Sequence, residues 1–127
     1  MIIDASAVVA LLAGEPGCED VVACLIKDQE RWITPMSAVE AVMALARKYA
    51  NPAELLKQYL HEEGIQLLAT DRTQTDWAQH AFLTYGKGRH PARLNLGDCF
   101  SYAAAKALDA PLLYVGDDFA KTDLRSA

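Results

Sequence analysis

Met1-Ile2-Ile3-Asp4-Ala5-Ser6-Ala7 opens the chain with a short apolar run that ends in an acid and leads into a second apolar stretch, Ser6 to Leu12. A similar strand-like run returns at Leu112 to Val115, followed by Gly116-Asp117-Asp118, and in weaker form at Trp32-Ile33 and Ile65 to Ala69. Longer segments with helical spacing lie between these runs. Ser6 to Leu12 reads as a buried helical turn, stopped by Gly14-Glu15-Pro16-Gly17. Cys18 to Lys27 repeats apolar residues at Val21, Val22, Leu25 and Ile26. Ser37 to Tyr49 gathers Val39, Val42, Met43, Leu45 and Ala46 on one side, with Ser37 as N-cap and Glu40 at the spacing of a capping box. Ala53 to Glu63 is closed by Gly64, Thr73 to Tyr85 turns Trp77, Ala81 and Phe82 inward, and Leu96 to Leu108 starts from Asn95 as N-cap. Apolar strands separated by helices predict an α/β chain: a three-layer α/β/α single domain, residues 1–127, around a mainly parallel central sheet.

The chain has 127 residues, of which 52% are hydrophobic, which suits one domain. Seventeen acidic against twelve basic residues give a net charge of −5 and a pI near 5.1. That balance excludes a globally basic nucleic-acid coater and a polybasic membrane binder, and leaves room only for a local basic patch. The longest uncharged stretch, Ala5 to Gly14, is half of the roughly 20 residues a membrane helix needs. The start of the chain has no basic segment ahead of its apolar run, so the expectation is a soluble cytoplasmic protein without a membrane role. Cys18, Cys24 and Cys99 are odd in number and lack C-x-x-C spacing, which indicates neither a disulfide framework nor a zinc ribbon.

The carboxylates carry the chemistry. Asp4 ends the first strand and Asp117-Asp118 follow the last. Open parallel sheets bind ligands outside the carboxyl ends of their strands, so both positions fall on the edge where sites form. Glu40 lies inside an otherwise apolar helical segment, and Asp98 starts an almost uncharged helix. Each has an ordinary role open to it: Asp4 as a helix cap, Glu40 as half of a capping box, Asp98 as a complement to its helix dipole, Asp117-Asp118 as a turn. Together they suggest a cluster that needs a cation. Hard oxygen ligands without a nearby Cys or His set select Mg²⁺, with Mn²⁺ as substitute. Such sites hydrolyse phosphodiesters.

The opening heptapeptide resembles the start of PIN-domain ribonucleases. Tyr85-Gly86-Lys87-Gly88-Arg89-His90, Leu94 to Tyr102, Pro111 to Phe119 and Thr122-Asp123 resemble the VapC toxins of bacterial toxin–antitoxin pairs. The resemblance runs from residue 1 to about residue 124. It implies a metal-dependent endoribonuclease, restrained by a cognate VapB-like antitoxin and forming a homodimer. Carried over by position, Asp4, Glu40 and Asp98 match the family's acidic triad, with Asp4 and Asp98 as principal ligands. Gly116 fills a slot that is often acidic in the family. Asp118, just before Phe119, is therefore the better fourth acid, with Asp117 as its substitute. Ser6 stands where the family has Thr or Ser, beside an Asp carboxylate or a metal water, and Asn95 supports the Asp98 helix start. In the mechanism this implies, the metal activates a water for in-line attack on phosphorus and Glu40 or Asp98 takes the proton.

An acidic pocket on an acidic protein repels RNA. Lys87, Arg89, His90 and Arg93 form the one dense basic run, and they precede Asp98, so they are expected near its helix start as phosphate contacts. Three other readings compete. A receiver-type switch lacks the acid pair after its first strand, because that strand offers only Asp4. A D-x-D phosphatase lacks its second Asp, which is Ser6 here. A non-catalytic PIN-like scaffold has no need of the retained acids.

Overall fold

The computed structural model describes residues 1–127. Four two-residue strands, β1 (Ile2–Ile3), β2 (Trp32–Ile33), β3 (Gln66–Leu67) and β4 (Leu112–Leu113), form one parallel sheet in the order β3-β2-β1-β4. Six helices surround it: α1 (Ala5–Ala13), α2 (Cys18–Lys27), α3 (Pro35–Leu45), α4 (Pro52–Glu62), α5 (Arg72–Tyr85) and α6 (Leu96–Ala107). This is the expected three-layer α/β architecture.

β1 explains the layering. Neighbouring residues of a strand point to opposite faces. Ile3 packs into a cluster with Ile33, Leu113 and the apolar residues Val8, Val21, Leu25, Ala41 and Leu56 of α1 to α4. Ile2 packs into a second cluster with Leu112, Ala78 and Ala81 of α5, and Cys99 and Tyr102 of α6. Both isoleucines are essentially inaccessible to solvent. A strand buried on both faces reads as continuously apolar, as this one does.

β1 is also where the strand order reverses. The chain leaves it towards β2 and β3 on one side, and β4 returns to its other side. That crevice, at the carboxyl edge of β1, is the ligand position of open parallel sheets. Asp4 stands there.

Two expectations need correction. The helix expected from Ser37 begins at Pro35, and Thr34 is its N-cap, with Oγ1 accepting the Ser37 N–H at 3.0 Å. Proline suits the first helical position because its missing N–H had no partner there anyway. The buried face of α3 is therefore Ser37, Ala41 and Leu45, while Val39 and Met43 face solvent at 59% and 67% exposure. Phe82 of α5 also points outward, at 45% exposure, and its ring lies beneath the Arg89 guanidinium. Of the three cysteines only Cys99 is buried, and none forms a disulfide. No helix is long and apolar enough to cross a membrane.

Candidate active site

Asp4, Glu40 and Asp98 line one open pocket of about 490 Å³ at the carboxyl edge of the sheet. They are 36 and 58 positions apart in the chain, and three separate elements bring them together. Asp4 is the N-cap of α1 at the end of β1 and is 3% exposed. Its Oδ2 accepts the Ser6 N–H at 2.9 Å and the Ser6 hydroxyl at 2.6 Å, and its Oδ1 accepts the Ser101 hydroxyl at 2.7 Å. The Ser6 Oγ in turn accepts the Val115 N–H at 3.1 Å, which ties α1 to the segment after β4. Ser6 thus holds one Asp carboxylate in orientation.

Asp98 sits in the first turn of α6 inside a reciprocal capping box. Its N–H donates to Asn95 Oδ1 at 2.9 Å and its Oδ2 accepts the Asn95 N–H at 2.8 Å. One carboxylate oxygen is thereby fixed and the other is left for the pocket. Asn95 lines the pocket as well.

Glu40 reaches the same space from α3. With α3 starting at Pro35, Glu40 lies beyond the cap, and its side chain has no hydrogen bond or ion pair. On α3 it shares one face with Met43 and Ala44, the spacing i, i+3, i+4, and these line the pocket together with Arg47 from the turn after the helix. Its carboxylate rests against Gly97 of α6, where a Cβ would collide with it.

The electrostatics follow from this crowding. Burial first, and then the charges of Asp4, Glu40 and Asp118, push Asp98 up to about 7, against the lowering effect of the Asn95 N–H. Burial and the Asp4 charge likewise raise Glu40. Asp118 does not line the pocket but acts on Asp98 from the turn after β4; Asp117 does not line it either, and both are exposed. No three of these acids are already drawn close enough to hold a single ion. Carboxylates this close resist ionising together, and a cation would relieve that. The donors are all hard oxygens, which fits a divalent ion of the Mg²⁺ or Mn²⁺ kind.

A pH dependence of stability follows. The folded chain keeps protons on Asp98 and Glu40 that the unfolded chain gives up, so between the ordinary carboxylate range and about pH 7 stability falls as pH rises. In EDTA, melting at pH 8 is expected several degrees below melting at pH 5.5, and millimolar Mn²⁺ should narrow the gap. Equal melting temperatures in EDTA would contradict the crowding.

The basic run lies outside this pocket. Lys87 lines a neighbouring, mostly apolar groove of about 680 Å³ between α5 and the start of α6, and Asn95 is common to both. Arg89 lies over Phe82. His90 packs edge-on against Tyr85, and its Nδ1 accepts the Ala92 N–H at 3.1 Å. Arg93 adopts a left-handed backbone, φ +56°. Sequence reasoning missed Ser101, Gly97 and Arg47. Ser101 follows Asp98 by one turn of α6, so periodicity from that acid was the available signal for it, whereas Arg47 lies in the turn after α3.

Fold and pocket together define an α/β domain with an acidic site at the switch point of its sheet. Residues 1–124 match the PIN domain family. A VapC ribonuclease of Mycobacterium bovis is 42% identical over 98% of this chain and 95% of its own length. The ribonuclease VapC of Mycolicibacterium smegmatis is 41% identical over 98% and 97%. A toxin–antitoxin complex from Klebsiella pneumoniae contains a chain of the same fold, with a TM-score of 0.72 at 14% identity, over 96% of this chain and 92% of that one. The chain belongs to the PIN-domain family of VapC ribonucleases.

Proposed function

We propose that this chain is the toxin of a type II toxin–antitoxin pair, a cytoplasmic Mg²⁺-dependent endoribonuclease that works as a homodimer and is restrained by a VapB-like antitoxin. The whole of residues 1–127 serves as one catalytic domain. One observation carries the catalytic reading: Asp4, Glu40 and Asp98, brought in by three separate elements, line one pocket at the carboxyl edge of the sheet, and burial together with their mutual charge raises both Glu40 and Asp98.

The ribonucleases of this family work with a divalent metal, and Mg²⁺ is the ion the donor set favours here. Asp4 and Asp98 would hold it directly, with Glu40 and Asp118 completing the shell through water. Such an ion supplies Lewis acidity and offsets charge on the phosphate. The chain's own residues supply the rest. Ser6 fixes the Asp4 carboxylate, and the capping box with Asn95 fixes that of Asp98. Glu40, whose carboxyl is raised by burial and by Asp4, is suited to take the proton of the attacking water, with Asp98 as the other candidate.

Lys87, Arg89, His90 and Arg93 guide the RNA backbone past the pocket. Support comes from Asn95, where the groove of Lys87 adjoins the acidic pocket. Replacing Lys87 and Arg89 by Ala should lower the slope of log K against log salt by about 1.4, at roughly 0.7 per lost phosphate contact on single strands. An unchanged slope removes these two residues from the interface.

Total RNA incubated with the purified protein and Mg²⁺, followed by mapping of the new ends, tests the function. Discrete internal cuts that vanish in EDTA are expected. Cleavage undiminished by the chelator contradicts the metal, and no cleavage in Mg²⁺ or Mn²⁺ favours a binding scaffold.

A further inference from the structure

We propose that Thr34, Ser37 and Ser101 form a buried hydroxyl relay that positions Asp4 and sets the spacing of the three pocket acids. The inference rests on reading that pocket as a divalent-metal site.

The relay is continuous. Ser101 Oγ donates to Asp4 Oδ1 at 2.7 Å, Ser37 Oγ lies 2.9 Å from Ser101 Oγ, and Thr34 Oγ1 lies 2.9 Å from Ser37 Oγ. All three hydroxyl residues are 0% exposed. A carboxylate only accepts, so the Ser101 proton points to Asp4. That leaves Ser101 Oγ to accept from Ser37, and Ser37 Oγ to accept from Thr34. The Thr34 oxygen accepts the Ser37 N–H at 3.0 Å, which anchors the far end. Every proton in the chain is therefore directed towards Asp4, and aligned hydroxyls of this kind polarise one another.

Its place in the fold gives it a task beyond capping. Ser37 precedes Glu40 by one turn of α3, and Ser101 follows Asp98 by one turn of α6. Residues three apart lie on the same side of a helix. The Ser37–Ser101 bond, the one side-chain hydrogen bond between these two helices, thus joins α3 to α6 directly below their acids. The Ser101–Asp4 bond joins α6 to the end of β1. One chain of hydroxyls ties together the three elements that carry Asp4, Glu40 and Asp98. Ser37 and Ser101 are positioning residues, acting through Asp4 and through helix placement.

Calorimetric titration of Mn²⁺ into the metal-free protein tests this without relying on turnover. Ser101→Ala and Ser37→Ala should each weaken Mn²⁺ binding about 10-fold, the scale on which residues that orient metal ligands act. The double variant should bind no more weakly than Ser101→Ala alone, because Ser37 works only through Ser101. Melting curves establish that each variant is folded at the titration temperature. Should Ser101→Ala melt too low, Ser101→Cys keeps the volume, weakens the donor, and is expected to weaken binding in the same direction. Wild-type affinity in both single variants, or losses that add in the double variant, overturns the relay. Failure of the wild-type protein itself to bind Mn²⁺ overturns the metal reading instead, and the relay with it.

Discussion

Asp98→Asn is expected to cut RNA cleavage by at least about 100-fold while making the metal-free protein more stable at pH 8. The two effects share one cause. The Asp98 carboxyl is pushed up to about 7 by burial and by three neighbouring acids, so at pH 8 the folded chain holds a charge that its surroundings disfavour. Asparagine removes that charge and keeps the cap, since its side-chain oxygen can accept the Asn95 N–H as Oδ2 does now. Relief of about 1 kcal/mol corresponds to a rise in Tm of roughly 3–5 °C for a chain of this size. Catalysis moves the other way. Residues that only orient metal ligands are worth about 10- to 100-fold, and a ligand itself is worth more. Melting in EDTA at pH 8, beside cleavage rates in Mg²⁺, reads both. A less stable variant, or one that cleaves at the wild-type rate, contradicts the role given to Asp98. Stability given up at a functional site is a common pattern.

Gly97→Ala should separate fold from function in a different way. Gly97 lies in the first turn of α6, and a Cβ there would meet the Glu40 carboxylate. The obstacle is the tip of a flexible side chain, so the backbone has no need to move. Alanine in a helix is favoured over glycine by about 0.5–1 kcal/mol, and stability should hold or rise slightly. The Glu40 carboxylate, however, loses its seat beside Asp98. Cleavage is expected to fall about 10- to 100-fold and Mn²⁺ affinity with it. Gly97→Ala with wild-type activity would show that Glu40 works from another position.

The sheet was legible in the sequence because buried parallel strands are apolar on both faces, and the runs at Ile2-Ile3 and Leu112-Leu113 needed no partner information to be recognised. α5 and α6 were legible in extent, and Asn95 as a cap. The start of α3 was not. Thr34 and Ser37 are both capping residues three apart; Pro35, which suits the first helical position, favours Thr34, while the capping-box spacing from Ser37 to Glu40 points the other way. That difference matters to the site. A Glu40 spent in a capping box would have been an ordinary helix-start residue, whereas a cap at Thr34 leaves it unpaired in the pocket. The acids Asp4, Glu40 and Asp98 could be named from strand ends, apolar context and family resemblance, but their convergence is a tertiary fact. Gly97 was invisible for the same reason, and only its spacing from Asp98 hinted at Ser101: a serine and a glycine in a small-residue helix look like packing until Asp4 and Glu40 are seen against them. The outward turn of Phe82 also escaped periodicity, because an aromatic at helical spacing suits a core as well as an exposed groove wall.

Crystals soaked in Mn²⁺ and measured for anomalous scattering test the central claim most directly. A single strong peak in coordination distance of both the Asp4 and Asp98 carboxylates, with Glu40 turned towards it, is the predicted result. An anomalous peak elsewhere, or none while the carboxylates stay apart, would contradict it.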